Sequence, residues 1–160
     1  MVLSDKAFGT LTFLFTDLEG STRLWERFPR AMKGALERHD SILLTAVMAA
    51  GGQVVKTTGD GLMAVFGSAA DAVRACLAAQ RGLGEAPWQE TGALRVRMGL
   101  HSGEAQLRED DYFGPAVIRS ARIMAVGHGG QVLLSAAAAA LVAEQLPDGA
   151  ELMDLGAHRL

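Results

Sequence analysis

Hydrophobic and polar residues follow two periods along this chain, and the two periods predict two kinds of element. Apolar runs rich in β-branched and aromatic residues are typical of strands, whereas apolar residues spaced three and four apart are typical of helices. The first run, residues 10–16 (TLTFLFT), is apolar on both faces and predicts a buried central strand. Six more strands are predicted over residues 53–57, 62–66, 93–101, 103–107, 131–135 and 151–155. Five helices are predicted, one from Ser21 or Thr22, one from Pro29 to Gly51, and three over residues 69–83, 113–126 and 136–145.

The order of these elements predicts an α+β fold with a ferredoxin-like βαββαβ core and a C-terminal extension. The turn between the second and third strands contains Asp60-Gly61, a dipeptide that favours a tight hairpin. We expect the helices to cover the sheet mainly on one face, which leaves the other face or an edge for a partner.

The composition narrows the class of protein. A chain of 160 residues is the size of one domain, with a core over about residues 10–160, and 49% hydrophobic against 21% charged residues excludes intrinsic disorder. The longest apolar run is about half of the ~20 residues that a membrane span needs. The first residues lack the pattern of a signal peptide, and the single cysteine suits a reducing compartment, so we expect a cytoplasmic domain without a membrane segment. A net charge of −3 argues against a nucleic-acid binder but allows a small anionic ligand.

Two acidic residues are the strongest candidates for chemistry. Asp17 directly follows the buried first strand, and Asp60 lies at the hairpin tip. In a ferredoxin-like sheet the first strand lies beside the hairpin, so both carboxylates can project from one edge and bind Mg²⁺. The residues alone also allow a plainer interpretation, in which Asp17 caps a helix and Asp60 only forms a turn.

Other polar residues are weaker candidates when each is taken alone. The segment 18–22 (LEGST) opens a helix whose backbone N–H groups suit a phosphate, although an ordinary capped helix needs the same residues. Lys56 is either a guard on an edge strand or a hydrogen-bond donor to a ligand. Arg97, Asp111 and Arg122 belong to types most often found in surface salt bridges. We expect His101 to be a structural histidine, since no nucleophile elbow accompanies it.

Taken together, these segments resemble the catalytic domains of class III nucleotidyl cyclases, in their bacterial, actinobacterial-type branch. The matching segments, in chain order, are residues 15–22 (FTDLEGST), 56–61 (KTTGDG), 97–103 (RMGLHSG), 111–117 (DYFGPAV), 129–135 (GGQVLLS) and 154–160 (DLGAHRL). Several motifs in the family's order are far more specific than any single one. The resemblance runs from about Leu11 to Leu160 and implies an adenylate cyclase, a lyase that converts ATP to 3′,5′-cyclic AMP and pyrophosphate.

The resemblance also implies roles for the polar residues. Two Mg²⁺ or Mn²⁺ ions would lie on Asp17 and Asp60, and the backbone carbonyl of Leu18 would touch one of them. The triphosphate would be contacted by the loop after Asp17 and by one arginine, and these residues are Glu19, Gly20, Ser21, Thr22 and Arg97.

The family's remaining site residues imply both the base and the assembly. Lys56 and Asp111 match the pair that reads adenine, whereas guanylate-specific relatives carry a Glu and a small polar residue there. Arg122 matches the transition-state arginine. Because family sites form between two catalytic domains, the resemblance implies a homodimer in which one chain supplies the metal aspartates and the other supplies the adenine pair and Arg122.

Two departures from the family pattern bear on activity. Ile118 stands where the family has an asparagine that orients the ribose, and isoleucine cannot form that hydrogen bond. Loss of one positioned polar contact can cost on the order of 10²-fold in rate. The second departure is that the sequence stops at Leu160, just where the family often has a phosphate-binding lysine, so we expect either an excised domain or a missing lysine.

Two functions therefore remain open at this point. The first is a homodimeric, metal-dependent adenylate cyclase, slowed by Ile118, and the second is a catalytically impaired cyclase-like module that binds nucleotide or a regulatory partner. A cyclic-dinucleotide synthase on a similar fold has no support, because its Gly-Gly-Asp/Glu-Glu-Phe turn is absent from the hairpin.

Overall fold

The computed structural model describes residues 9–160, and the expectation about a signal peptide falls on residues 1–8, outside the described residues. The strands are β1 (Leu11–Leu18), β2 (Gln53–Thr58), β3 (Gly61–Phe66), β4 (Val96–Gly103), β5 (Gln106–Arg108), β6 (Asp111–Phe113) and β7 (Val132–Leu134). The helices are α1 (Ser21–Arg27), α2 (Pro29–Ala49), α3 (Ala69–Glu85), α4 (Pro115–Ala125) and α5 (Ala136–Val142). Within residues 9–160, no helix combines the length and the apolar character that crossing a membrane requires.

The main sheet has five strands in the order β2-β3-β1-β4-β7. β1 lies at its centre and pairs antiparallel with both β3 and β4, while β7 joins β4 in parallel. The first four strands with α2 and α3 form the predicted ferredoxin-like core. The α+β fold with its C-terminal extension is therefore confirmed.

Local signals explain where several helices begin. Pro29 and Pro115 occupy the first turns of α2 and α4, where a missing N–H costs nothing. The hydroxyls of Ser68 and Ser135 accept hydrogen bonds from the first turns of α3 and α5. These four residues set the starts of helices that the hydrophobic period alone locates only approximately.

Helices cover both faces of the sheet, which corrects the expectation of cover mainly on one face. One face of β1, including Leu14 and Leu18, packs into a core formed with α2, α3 and α5. The other face, including Phe13 and Phe15, packs against α4 and the β5–β6 hairpin. The reason lies in β1 itself, because a strand that is apolar on both sides must be shielded from water on both.

Several predicted elements differ from the structure, and the differences at residues 93–95, 111–113 and 151–155 have clear physical reasons or consequences. Residues 151–155 form no strand and are exposed, since an apolar run without a neighbouring strand gains no backbone pairing. β4 begins at Val96 rather than at residue 93. Phe113, predicted as the first residue of a helix, instead ends β6, which forms a hairpin with β5. The turn residues of this hairpin, Glu109 and Asp110, both have positive φ. This turn lacks the glycine or asparagine that normally reveals such a turn in a sequence.

α4 lies directly on the sheet because two positions let it approach. The hydroxyl of Ser120, fully buried, donates to the backbone oxygen of Phe13 at 2.7 Å and lies 3.3 Å from that of Gly99. A Cβ at Gly99 would lie 2.4 Å from the backbone nitrogen of Met124. The height and orientation of α4 above the sheet therefore depend on one hydroxyl and one missing side chain.

We expect Gly99→Ala to destabilise the protein by about 1–3 kcal/mol, because the new methyl group meets backbone rather than a flexible side chain. Gly34→Ala is the matched control, since Gly34 lies inside α2 with open space around it, and alanine there should stabilise by about 0.5–1 kcal/mol. Urea unfolding midpoints measure both changes. Equal midpoints for the two variants would contradict the close contact of α4 with β4.

Candidate functional site

The predicted carboxylate pair meets at one edge of the sheet. Asp17 is near the end of β1, and Asp60 lies in the tight turn between β2 and β3. The turn fits against β1 because Gly61 has no side chain, since a Cβ there would lie 1.9 Å from the backbone oxygen of Thr16. The Thr16 hydroxyl also accepts a hydrogen bond from the backbone N–H of Leu62 at 3.0 Å. These contacts hold the hairpin tip, and with it Asp60, beside Asp17.

The two acids interact electrostatically. Burial raises the pKa of the Asp17 carboxyl, and a hydrogen bond with the Asp60 carboxyl raises it further, while the neighbouring Arg97 guanidinium acts in the opposite direction. Two carboxylates that share a hydrogen bond repel each other once both are ionised. A proton or a cation between them relieves that repulsion.

The donor set fits a divalent cation with oxygen ligands. Among the described residues no three His, Cys, Asp or Glu side chains gather into one cluster, so the protein offers a pair of carboxylates and little more. Mg²⁺ typically takes one or two carboxylates and fills its remaining positions with water and substrate phosphates. Leu18, the last residue of β1, buries its side chain in the core, so only its backbone is available to a ligand.

Arg97 is paired inside this site. It lies opposite Asp17 in the β1–β4 register, and its guanidinium donates to a carboxylate oxygen of Asp17. The same guanidinium contacts the backbone oxygen of Ala125 at 3.4 Å, at the C-terminal end of α4. In the free chain, the residue expected to contact phosphates therefore pairs with the carboxylate of Asp17.

The loop after β1 is held in place by Glu19. Its backbone N–H donates to the oxygen of Arg95 at 2.9 Å, and its carboxylate accepts from the backbone N–H of Gly129 at 3.0 Å. Glu19 thus serves as a support of the loop, and both of its polar groups are engaged. Gly20 adopts a left-handed conformation (φ 69°) and starts α1, whose first-turn N–H groups, at Ser21 and Thr22, have no acceptor within the helix.

Lys56 and Asp111 come together although 55 residues separate them in the chain. Their Nζ and Oδ2 atoms are 2.8 Å apart, with Lys56 on β2 and Asp111 on β6. The hydrogen bond from Lys56 is the main cause that lowers the pKa of the Asp111 carboxyl. Their proximity is consistent with the pair that the resemblance implies. Within residues 9–160, neither side chain forms a salt bridge with Asp17, Asp60 or Arg97.

Arg122 and Ile118 share an exposed face of α4, one helical turn apart. Within residues 9–160, Arg122 makes no salt bridge or side-chain hydrogen bond. Ile118 is 54% exposed, and Val126, one turn further on, is 50% exposed. This face therefore carries an unpaired cation between two exposed apolar side chains.

His101 lies in a contact within the fold, which is consistent with the expected structural role. Its Nδ1 lies 2.7 Å from the hydroxyl of Ser135, the residue that caps α5. Sequence reasoning missed the supporting residues Ser120, Ala125 and Gly129. Ala125 could not have been found because it acts through its backbone, whereas the Gly129-Gly130 pair is a visible sign of close backbone approach.

The comparisons with known proteins agree on one family. The family model described as Adenylate and Guanylate cyclase catalytic domain matches residues 3–152. An uncharacterized protein of Mycobacterium tuberculosis is 42% identical over 154 residues, which cover 95% of this chain and 52% of that protein. The adenylate cyclase of Neurospora crassa is 36% identical over 152 residues, covering 79% of this chain and 7% of that protein. The chain thus spans about half the length of the mycobacterial relative.

Solved structures give the same result. A crystal structure described as an adenylate/guanylate cyclase/hydrolase from Silicibacter pomeroyi has a TM-score of 0.80 and 29% identity, covering 95% of this chain and 89% of that one. A structure of adenylate cyclases from Trypanosoma brucei in their monomeric state has a TM-score of 0.81 and 26% identity, covering 85% and 77%.

The electrostatics of the carboxylate pair predict the titration of Asp17. Because its pKa is raised, the stability that Asp17 contributes is fully present below pH 3.8, its usual value, and is lost as the pH rises through the raised value. We expect Asp60→Asn to lower the pKa of Asp17 and Arg97→Gln to raise it. Carbon-detected NMR of the side-chain carboxyls measures this, with Asp111 as an internal reference that Asp60→Asn leaves unchanged. If Asp60→Asn leaves the pKa of Asp17 unchanged, the two acids do not interact.

Proposed function

The chain belongs to the family of adenylate and guanylate cyclase catalytic domains, and we propose that it is an adenylate cyclase. In this reaction the ribose 3′-oxygen forms a bond to the α-phosphorus of ATP and releases its proton. The bond between the α-phosphorus and the oxygen that bridges to the β-phosphate breaks, and pyrophosphate leaves. The observation that carries the proposal is the meeting of Asp17 and Asp60 at the hairpin tip. Among residues 9–160, neither acid belongs to the two hydrophobic cores.

The proposed cofactor is a pair of Mg²⁺ or Mn²⁺ ions held by Asp17, Asp60 and the carbonyl of Leu18. When bound, such ions lower the pKa of the attacking hydroxyl and neutralise charge on the phosphates. The chain's own contribution is to orient the triphosphate with the first-turn N–H groups of α1 and with Arg97. The family supports this assignment.

Lys56 and Asp111 support adenine over guanine. Adenine offers an acceptor at its ring nitrogen and a donor at its 6-amino group, which complement a lysine and a carboxylate respectively. Guanine offers an oxygen at the 6-position, and that oxygen would face the Asp111 carboxylate. Because the two side chains lie 2.8 Å apart in the free chain, they must separate to admit the base.

The exposed face of α4 supports a homodimer. Arg122 has no partner among residues 9–160, and the apolar side chains of Ile118 and Val126 are half exposed on either side of it. A second copy of the chain that covers this face would bury those side chains and bring Arg122 to the partner's metal aspartates. By symmetry the dimer would contain two sites. We place the reaction in the cytoplasm, where ATP is abundant.

The alternative function is an impaired, nucleotide-binding cyclase module, and Ile118 is the observation that favours it. An exposed isoleucine offers no hydrogen bond to a ribose. The change affects a single contact and leaves the metal and adenine residues intact. The two functions therefore differ in turnover and not in nucleotide binding.

We expect the chain to form cyclic AMP from ATP in the presence of Mg²⁺ or Mn²⁺, and Ile118→Asn to raise the rate by roughly 10²-fold because it restores a positioned polar contact. Asp17→Ala should reduce the rate by at least about 100-fold. Asp148→Ala, at an exposed aspartate remote from the site, is the matched control and should leave it unchanged. GTP offered in parallel tests the choice of base.

The outcomes separate the candidates. If the parent chain forms no cyclic AMP but Ile118→Asn does, the result favours the impaired module, in which one position disables the site. If both chains are silent although ultracentrifugation shows dimers, the cyclase proposal fails for this chain.

The shared site predicts complementation between two inactive variants. A mixture of Asp17→Ala and Arg122→Ala chains should recover about a quarter of the parental activity, because half of the dimers are mixed and each of these holds one intact site. Each variant measured alone is the control. No recovery after dissociation and reassembly would mean that both residues act within one chain.

A further inference from the structure

Arg97 makes two side-chain contacts in the free chain, and one of them is to a carboxylate of the proposed metal site. Its guanidinium donates to a carboxylate oxygen of Asp17 and contacts the backbone oxygen of Ala125. Its side chain is 26% exposed, and that of Asp17 is 29% exposed. The pair is therefore partly withdrawn from water, where an ion pair is screened less than at the surface.

The guanidinium and a divalent cation would compete for the same ligand. A metal ion on Asp17 would share the carboxylate with Arg97, whose guanidinium contacts its Oδ2 atom, and two cations on one carboxylate repel each other. Backbone pairing fixes Asp17 and Arg97 opposite each other on β1 and β4. Arg97 can therefore yield the oxygen only by reorienting its side chain.

The present contacts leave Arg97 incompletely satisfied. Its Nε atom is buried and has no acceptor among residues 9–160. A buried donor without an acceptor destabilises the arrangement, so a better acceptor would attract the guanidinium away. The oxygens of a triphosphate are such acceptors, because a planar guanidinium can bind phosphate through two parallel N–H···O hydrogen bonds.

We propose that Arg97 is the internal counter-ion of Asp17 and closes the metal site in the nucleotide-free chain until a triphosphate takes its guanidinium. The inference rests on the proposed function and adds an order of events to it. The triphosphate neutralises Arg97 and frees Asp17, and the metal ion binds in the same step. Metal and triphosphate then bind cooperatively, because each removes the obstacle to the other. Arg97 is in this sense a positioning residue for the metal site before it becomes a phosphate ligand.

The test measures Mn²⁺ binding to the nucleotide-free protein by electron paramagnetic resonance. We expect Arg97→Gln to bind Mn²⁺ roughly tenfold more tightly than the parent chain, the size of effect that neighbours of metal ligands commonly have. Arg95→Gln is the matched control, because it removes the same charge two residues away on an exposed side chain. Its Mn²⁺ affinity should stay within about twofold of the parent value.

A second readout moves in the opposite direction. With Mn²⁺ at saturation, Arg97→Gln should bind a non-hydrolysable ATP analogue roughly tenfold more weakly, because a charged contact to phosphate is lost. A merely structural role for Arg97 would weaken both metal and nucleotide binding. Opposite shifts in the two affinities are therefore specific to the counter-ion role.

The remaining outcomes decide the proposal. The proposal is overturned if Arg97→Gln binds Mn²⁺ no more tightly than the parent chain. It is also overturned if Arg95→Gln gains as much affinity as Arg97→Gln, because that result would indicate a general charge effect. If circular dichroism shows that Arg97→Gln is unfolded, Arg97→Lys decides. Lysine keeps the charge but lacks the planar guanidinium whose two nitrogens contact Asp17 and Ala125, so a gain of roughly threefold is expected and no gain refutes the proposal. Absence of cyclic AMP formation alongside the expected Mn²⁺ shifts would count against the proposed function alone.

Discussion

The approach of the hairpin tip to the end of β1 is the constraint on which the candidate site depends. Gly61 is the position of closest contact, where even a methyl group would overlap the backbone of Thr16. The hydrogen bond from Leu62 to Thr16 then fixes the hairpin in the one position that sets Asp60 beside Asp17. A turn that requires glycine thus decides the electrostatics of the site, because it determines how near two negative charges must lie.

The same closeness explains why Arg97 and α4 belong to the site. Two acids held together need a compensating charge, and Arg97 supplies it from the neighbouring strand. Its other contact, at Ala125, uses the C-terminal end of α4, where exposed carbonyls favour a cation. Ser120 and Gly99 set the position of α4 on the sheet. The position of α4 therefore affects the carboxylates through Arg97, which contacts both Ala125 and Asp17.

The sequence predicted the fold for identifiable physical reasons, whereas the roles of most candidate site residues rest on the resemblance to the family. The two-sided apolar pattern of β1 and the Asp-Gly turn are strong local signals, and the order of the elements along the chain predicted the ferredoxin-like core. The β5–β6 hairpin was missed because Glu109 and Asp110 adopt positive φ without glycine. The partner of Arg97 was missed for another reason: the register of β1 and β4, which sets it opposite Asp17, cannot be read from either strand alone.

The carboxylate pair is the feature that a purely structural account of this chain explains least. Burial and Asp60 raise the pKa of Asp17, so ionisation of Asp17 weakens the fold rather than supporting it. A domain that only needed this hairpin could hold it with neutral side chains, since Gly61 and Thr16 already make the contact. Lys56 and Asp111, by contrast, stabilise each other and would be acceptable on any surface. The acids therefore argue for a cation more strongly than Ile118 argues against turnover, because a lost ribose contact slows a reaction whereas an unused acid pair would serve no purpose.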